Sequence, residues 1–163
     1  MSMWFAANCS IEVLAYGLSI TSPNNGFVKL NKVSVWVTTG THLRNVNTLL
    51  VDPFTCRLQQ RRHFDTYDTG ATAAAELKNY LQQLDHGSII VAATADEPSR
   101  HLATALSTLR QFGADVSDVQ IRGSFGFVAQ KGYPSKTVLR KVLTEAESAT
   151  DQSHFKVLIR GML

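Results

Sequence analysis

Residues 88–93 read Ser-Ile-Ile-Val-Ala-Ala, a run that is apolar at every position after the first. A strand with one face in water alternates apolar and polar side chains, whereas a strand covered on both faces is apolar throughout. The run therefore predicts a central strand that is buried between two other layers.

Helical patterns lie on both sides of this strand. Residues 71–84 place Ala74, Leu77, Leu81 and Leu84 on one stripe, which predicts an amphipathic helix that Gly87 ends. A second helix is predicted over about 97–112, with Pro98 near its first turn and Gly113 after its end. A third helical pattern covers 137–146.

Strand patterns dominate the first third of the chain. Over the whole chain, further strands are predicted at 11–16, 27–30, 33–37, 46–51, 57–64, 116–121, 125–130 and 154–159. Asp52-Pro53 separates two of them, which predicts an antiparallel hairpin. Strands first and helices around later strands indicate an α+β (mixed α/β) sandwich, built as a single globular domain over residues 1–163.

The composition excludes several classes of protein. The chain is 44% hydrophobic and 18% charged with a net charge of +3, as in ordinary folded soluble proteins. Its basic residues are scattered, so no nucleic-acid partner is expected. No apolar stretch approaches about 18 residues, so no membrane insertion is expected. Residues 1–7 lack a basic segment and a long apolar run, so no signal peptide is predicted.

Metal and catalytic patterns are weak. Cys9 and Cys56 either form one disulfide, worth roughly 4 kcal/mol, or remain free thiols, and they lack metal-site spacing. The histidines contain no H-E-x-x-H motif, and residues 123–126 lack G-x-S-x-G spacing. His63 and Asp65 share a strand face without implying a reaction. The sequence therefore predicts a protein without metal or cofactor that is not an enzyme.

Charged residues close to the strand ends have two interpretations. Asp96 and Glu97 follow the central strand, where they would cap the second helix or contribute to a ligand site beyond the strand end. Arg122 precedes small residues that allow a ligand to approach the backbone. Arg44 lies in a polar turn before a strand. Taken alone, solvation explains both arginines.

Several segments together resemble a known domain family. They are residues 49–53, 63–67, 87–91, 93–99 and 125–132, together with Leu81 and Arg122. Over about residues 10–132 they are similar to the GG-type domain of the interleukin-like epithelial–mesenchymal transition inducers and pancreatic-derived factor. The domain also occurs in cell-migration-inducing hyaluronan-binding proteins. The resemblance implies a β-β-α fold, in which antiparallel sheets pack together and are flanked by helices.

The resemblance extends to a carbohydrate site. The same domain resembles the stem of protein O-mannose N-acetylglucosaminyltransferase, a lectin-like module for β-linked N-acetylglucosamine. Arg44, upstream of the F-D-T-Y segment, Asp96 of the D-E-x-S segment and Arg122 match its polar sugar contacts. Two arginines supply donors and the aspartate supplies an acceptor, and Asp96 between them would offset their repulsion.

The aromatic part of that site differs in this chain. The tryptophans that flank the second arginine are replaced by Ile121 and Phe125. A platform for the sugar ring would then come from Phe125, Trp36 or Tyr133. Phe125 is included with the three polar residues in the predicted site.

The combined prediction is a secreted, extracellular lectin that binds N-acetylhexosamine-type glycans or glycoproteins, with GlcNAc or GalNAc as the recognised sugar. A shallow sugar pocket binds weakly, between about millimolar and micromolar, so a homo-oligomer is expected to supply avidity. The alternative is a secreted interleukin-like signalling protein that binds a protein receptor. In that case the arginines and the aspartate would form structural ion pairs.

Overall fold

Two antiparallel sheets pack face to face, and helices cover the outer side of one of them. The computed structural model describes residues 8–17, 25–39, 44–67 and 70–159, so residues 1–7 lie outside it. The strands are β1 (Cys9–Ala15), β2 (Asn25–Leu30), β3 (Val33–Thr39), β4 (Asn45–Val51), β5 (Leu58–Phe64), β6 (Ile89–Ala95), β7 (Ser124–Gln130), β8 (Val138–Val142) and β9 (Ser153–Ile159). The helices are α1 (Gly70–Gln83), α2 (Ala103–Gln111) and α3 (Glu145–Ser148).

The strand β6 lies at the centre of the structure. The sheet orders are β3-β2-β1-β9 and β5-β4-β6-β7-β8, and every residue of β6 is buried. Ile90 and Ala92 belong to the core under the helices, whereas Ile89 and Val91 belong to the core between the sheets. Both faces of β6 are covered, as the apolar run predicts, and the β-β-α architecture is confirmed.

The helix α1 follows its predicted stripe. Ala74, Leu77 and Leu81 are buried against the five-stranded sheet, and Leu84 packs beside them just beyond the helix end. Gly87 follows with a φ of +88°, a left-handed conformation that glycine adopts without strain. Within the described residues, no helix is long and apolar enough to cross a membrane.

The second helix starts later than predicted. It begins at Ala103, several residues after the predicted start, and Asp96 before it has a left-handed φ of +67°. The Glu97 carboxylate accepts hydrogen bonds from the backbone and hydroxyl of Ser99, and Thr66 donates to the Pro98 carbonyl at 3.0 Å. These bonds hold the segment before α2 as a loop.

Two further predictions are wrong. Residues 116–121 form turns, in which the Val119 N–H donates to the Val116 carbonyl and both side chains reach the helix-side core. Residues 137–146 contain β8 and the start of α3 instead of one helix, because β8 completes the edge of the sheet beside β7. Pairing between distant residues overrides the local pattern in this segment.

Antiparallel pairing brings distant parts of the chain to one end of the five-stranded sheet. Asn45 lies opposite Ala95 and Val46 lies opposite Phe64, so β4 begins where β5 and β6 end. The start of β7 lies at the same end, since Gly126 pairs with Ala93. The loops at this end position the candidate site.

The two cysteines form a disulfide that joins the sheets. Cys9 begins β1 in one sheet, and Cys56 lies in the turn between β4 and β5 of the other. Their Cα atoms are 5.3 Å apart across a sequence separation of 47 residues. Of the two states that the sequence allows, the structure has the disulfide.

Candidate functional site

A cavity of about 380 Å³ opens at the end of the five-stranded sheet where β4 begins and β6 ends. Its walls are formed by Arg44, Tyr67, Asp96, Glu97, Arg100, Ile121 and Arg122. The volume falls within the range of small-molecule sites, roughly 300–1,000 Å³. Arg44, Asp96 and Arg122 therefore lie around one pocket, although they are far apart in the sequence.

Asp96 supplies a buried carboxylate to this pocket. The residue is only 6% exposed, and among the described residues no hydrogen bond or ion pair reaches its carboxylate. Burial raises the pKa of Asp96; the charges of Arg44 and Arg122 oppose this increase, and those of Glu97 and Asp65 add to it. Because no described group bonds to the Asp96 carboxylate, its oxygens can accept hydrogen bonds from a ligand.

Arg44 is oriented by the segment that follows β5. Its Nε donates to Asp65 Oδ2 at 3.3 Å, and its guanidinium lies 5.3 Å from the centre of the Tyr67 ring. The other carboxylate oxygen of Asp65 accepts from Asn45 Nδ2 at 2.6 Å. Asp65 and Tyr67 therefore hold the guanidinium at the pocket wall.

Arg122 is fixed through its backbone. It has a φ of +63°, its N–H donates to the Glu97 carboxylate, and its carbonyl accepts from Ser148 Oγ at 2.6 Å. Its guanidinium pairs with Glu145 at 2.6 Å. Since Arg44 and Arg122 each have an outer carboxylate partner, their charges are offset by Asp65 and Glu145, and Asp96 pairs with neither.

Glu97 lines the pocket, but its carboxylate holds the shape of the pocket and is not free to bind a ligand. Its side chain accepts from Ser99 through one oxygen and from the Arg122 backbone through the other. Since α2 begins at Ala103, neither Asp96 nor Glu97 caps that helix, and the capping interpretation is wrong. Glu97 is a positioning residue that ties the loop after β6 to the segment before β7.

Sequence reasoning missed three residues of the pocket wall. Tyr67, which is 37% exposed, lies 4.8 Å from the Arg100 guanidinium, and Arg100 has no carboxylate partner in the described part of the chain. Ile121 is 63% exposed at the pocket wall. Tyr67 is the last residue of the F-D-T-Y segment, so the motif could have identified it as a site residue. No motif in the sequence marks Arg100.

The predicted aromatic platforms lie away from the pocket. Phe125 is fully buried and stacks on Phe127 with ring centres 6.4 Å apart, because both faces of β7 are covered. Trp36 is buried between the sheets, and Tyr133 lies against His86 near the opposite end of β6. The structure does not bring Phe125 to Arg44, Asp96 and Arg122.

A family model described as interleukin-like EMT inducer matches residues 44–133. The match covers more than half of the chain and includes every residue of the pocket wall. It begins at Arg44, well after residue 10, where the resemblance was expected to start. A comparison with curated proteins gives no significant match.

Proposed function

The chain belongs to the interleukin-like EMT inducer family, and on this premise we propose that it is a lectin-like protein that binds N-acetylhexosamine-type glycans without catalysis. One observation carries the proposal: an unpartnered, buried carboxylate on Asp96 lies between Arg44 and Arg122 in a cavity of about 380 Å³.

The chemistry of the pocket suits a sugar. Neighbouring hydroxyls of a pyranose would donate to the Asp96 carboxylate, and such charge-assisted bonds are stronger than neutral ones. Arg122 and Arg44 would donate to hydroxyl, ring or acetamide oxygens. A guanidinium has five N–H donors, so the ion pair with Glu145 leaves Arg122 with capacity for a ligand.

Apolar surface beside these groups would contact the ring and the acetamide methyl. Tyr67 and Ile121 are the partly exposed apolar side chains of the pocket wall. The site is also preorganised, since Asp96 and Arg122 both have left-handed backbone conformations that surrounding contacts must hold. A preorganised site loses less free energy to ordering when it binds.

We place this function outside the cell, and we expect it to require several copies. The Cys9–Cys56 disulfide supports an oxidising compartment. A single shallow site binds a sugar weakly, so a homo-oligomer would be needed for avidity toward glycoproteins. Light scattering and haemagglutination, inhibited by free N-acetylglucosamine or N-acetylgalactosamine, would test this part of the proposal.

The test of the site combines a glycan array with calorimetry on the Asp96→Asn variant. Asparagine tolerates the left-handed backbone, so the fold is expected to remain intact. Replacing a charged acceptor with an amide is expected to weaken glycan binding roughly tenfold or more. The matched control is Asp85→Asn, an exposed carboxylate before the other end of β6. Equal binding by wild type and Asp96→Asn would disprove the site.

The signalling alternative rests on a specific observation. Arg44 pairs with Asp65 and Arg122 pairs with Glu145, and the signalling alternative expects these arginines to form ion pairs that support the fold. Asp96 does not take part in them, which favours the lectin. A folded, oligomeric protein with no hit on the array would favour the receptor.

A further inference from the structure

A second cavity, of about 680 Å³, adjoins the pocket around Asp96. Its walls are formed by Gln120, Ile121, Thr144, Glu145 and Ala146. The two cavities share Ile121, and the ion pair of 2.6 Å between Arg122 and Glu145 joins the wall of the first cavity to the wall of the second. The two cavities are therefore neighbouring parts of one continuous surface.

The turn between the two cavities presents an apolar side chain on a fixed backbone. The Gln120 N–H donates to the Leu143 carbonyl at 2.8 Å, and the Gly123 N–H donates to the Gln120 carbonyl at 3.0 Å. The N–H and the carbonyl of Arg122 are bonded as well. Ile121 in this turn is nevertheless 63% exposed. A ligand that contacts Ile121 would lose little free energy to ordering the turn.

The polar groups of the second cavity include both donors and acceptors. Among the described residues, none bonds to the exposed side-chain amide of Gln120. Thr144 Oγ1 accepts from the Glu147 N–H at 3.1 Å and keeps its own O–H as a donor. The Glu145 carboxylate pairs with Arg122 through Oε1 and retains further acceptor capacity.

The chemistry of this cavity suits a neutral, hydroxyl-rich group. Among the described residues that line it, Glu145 alone is charged, and Arg122 offsets that charge. An ion would therefore find no unbalanced partner. A sugar hydroxyl both donates and accepts, which matches an amide, a hydroxyl and a carboxylate placed around one hollow.

We propose that the second cavity is a subsite for the sugar residue next to the one bound at Asp96, so that the ligand is an oligosaccharide. This subsite rests on the glycan function proposed for the Asp96 pocket. Ile121 contacts the C–H surface of the glycan where it passes from one cavity to the other. Gln120 and Thr144 bond to hydroxyls of the second sugar residue.

The experiment compares single sugars with disaccharides by calorimetry. N-acetylglucosamine and N-acetylgalactosamine are titrated first, followed by disaccharides that carry the same sugar at either end. The best disaccharide is expected to bind roughly tenfold more tightly than its single sugar, because it adds neutral hydrogen bonds and apolar contact in the second cavity. The readout is the ratio of the two affinities, which cancels effects common to both ligands.

Gln120→Ala is the decisive variant, because it removes the side-chain amide and keeps the backbone bond to Leu143. It is expected to lower the affinity ratio roughly fivefold. Ala146→Trp fills the cavity with a large side chain and is expected to bring the ratio close to one. The matched control is Gln83→Ala, an exposed glutamine at the end of α1, which should leave the ratio unchanged. Circular dichroism confirms that each variant is folded.

The outcomes separate the subsite from the function on which it rests. If the wild type binds a single sugar but no disaccharide more than about twofold more tightly, the subsite is wrong and the Asp96 site stands. A ratio that falls equally in Gln120→Ala and Gln83→Ala, or that survives Ala146→Trp, also overturns the subsite. If the wild type binds neither single sugars nor disaccharides, the proposed function itself is wrong.

Discussion

At the scale of single residues, Asp96 has an environment that lowers the stability of the folded state and suits the binding of a ligand. Its carboxylate is buried and lacks a hydrogen-bond partner among the described residues, and the backbone of Asp96 itself is left-handed. A charged group removed from water without pairing destabilises the folded state. The pair of properties is what a preformed site for a hydroxyl-rich ligand would require.

The pH dependence of stability tests this description of Asp96. Because its pKa is raised in the folded protein, the folded state binds the proton more tightly than the unfolded chain does. The destabilisation is therefore complete above the folded pKa and disappears as the pH falls below the unfolded value of about 3.9. Asp96→Asn is expected to raise the melting temperature at pH 7 by a few degrees, with a smaller difference from wild type near pH 4.

Thermal unfolding followed by circular dichroism at both pH values measures the effect. Glycan affinity of the wild type should fall as the pH is lowered through the raised pKa, since a protonated carboxyl is a weaker acceptor. Asp85→Asn is expected to leave both profiles unchanged, because Asp85 is exposed. A variant Asp96→Asn that is less stable than wild type at pH 7 would contradict this account.

At the scale of elements, the segment before β7 is clamped by three parts of the fold. The loop after β6 provides Glu97, α3 provides Ser148, and the end of β1 provides Gly17, which packs against the Arg122 carbonyl. A Cβ atom on Gly17 would lie 1.9 Å from that oxygen and 2.6 Å from Ser148 Oγ. The position of Arg122 thus depends on Gly17, which follows β1 of the other sheet.

Gly17→Ala is expected to move Arg122 and to affect stability and binding together. The overpacking should cost about 1–3 kcal/mol and weaken glycan binding, as measured by urea unfolding and calorimetry. Gly87→Ala is the control, because a Cβ there meets no atom within 4 Å although the φ of +88° is unfavourable for alanine. That variant should lose stability and keep its glycan affinity. A Gly17→Ala protein that binds glycan like wild type would show that the clamp does not position Arg122.

The sequence predicts those elements whose signal is local. The apolar run of β6 and the helical stripe of α1 define their own burial, and the β4–β5 hairpin needs only a short turn. The predicted start of α2 was wrong. Pro98 is a residue typical of a first helical turn, but hydrogen bonds from Thr66 and Ser99 hold this segment as a loop. Such contacts join residues that no local pattern relates.

The same reasoning applies to the candidate site. Arg44, Asp96 and Arg122 were found through a family resemblance, and their convergence follows from the antiparallel register of β4, β6 and β7. Phe125 was wrongly predicted to line the site. Its strand, β7, is covered on both faces, and the sequence of so short a strand does not indicate this. Arg100 was missed because its proximity to Tyr67 depends on the path of the loop before α2.

At the scale of the whole molecule, the disulfide and the candidate site lie at opposite ends of the five-stranded sheet. The site lies at the start of β4, whereas Cys56 lies in the turn beyond its end. The bond ties the four-stranded sheet, through Cys9, to the sheet that carries the pocket. Its loss should therefore weaken the assembly of the layers without changing the shape of the site.

The Cys9→Ser/Cys56→Ser double variant separates these two effects. A cross-link over 47 residues is expected to stabilise by about 4 kcal/mol, mainly by restricting the unfolded chain. For a domain of this length, that loss lowers the melting temperature by roughly 8–16 °C. Reductant should lower the wild-type value to a similar extent and leave the double variant unchanged. Calorimetry at a temperature at which both proteins are folded should give equal glycan affinities. If the double variant is folded but binds glycan more weakly, the disulfide also shapes the pocket, and the separation of scaffold from site is wrong.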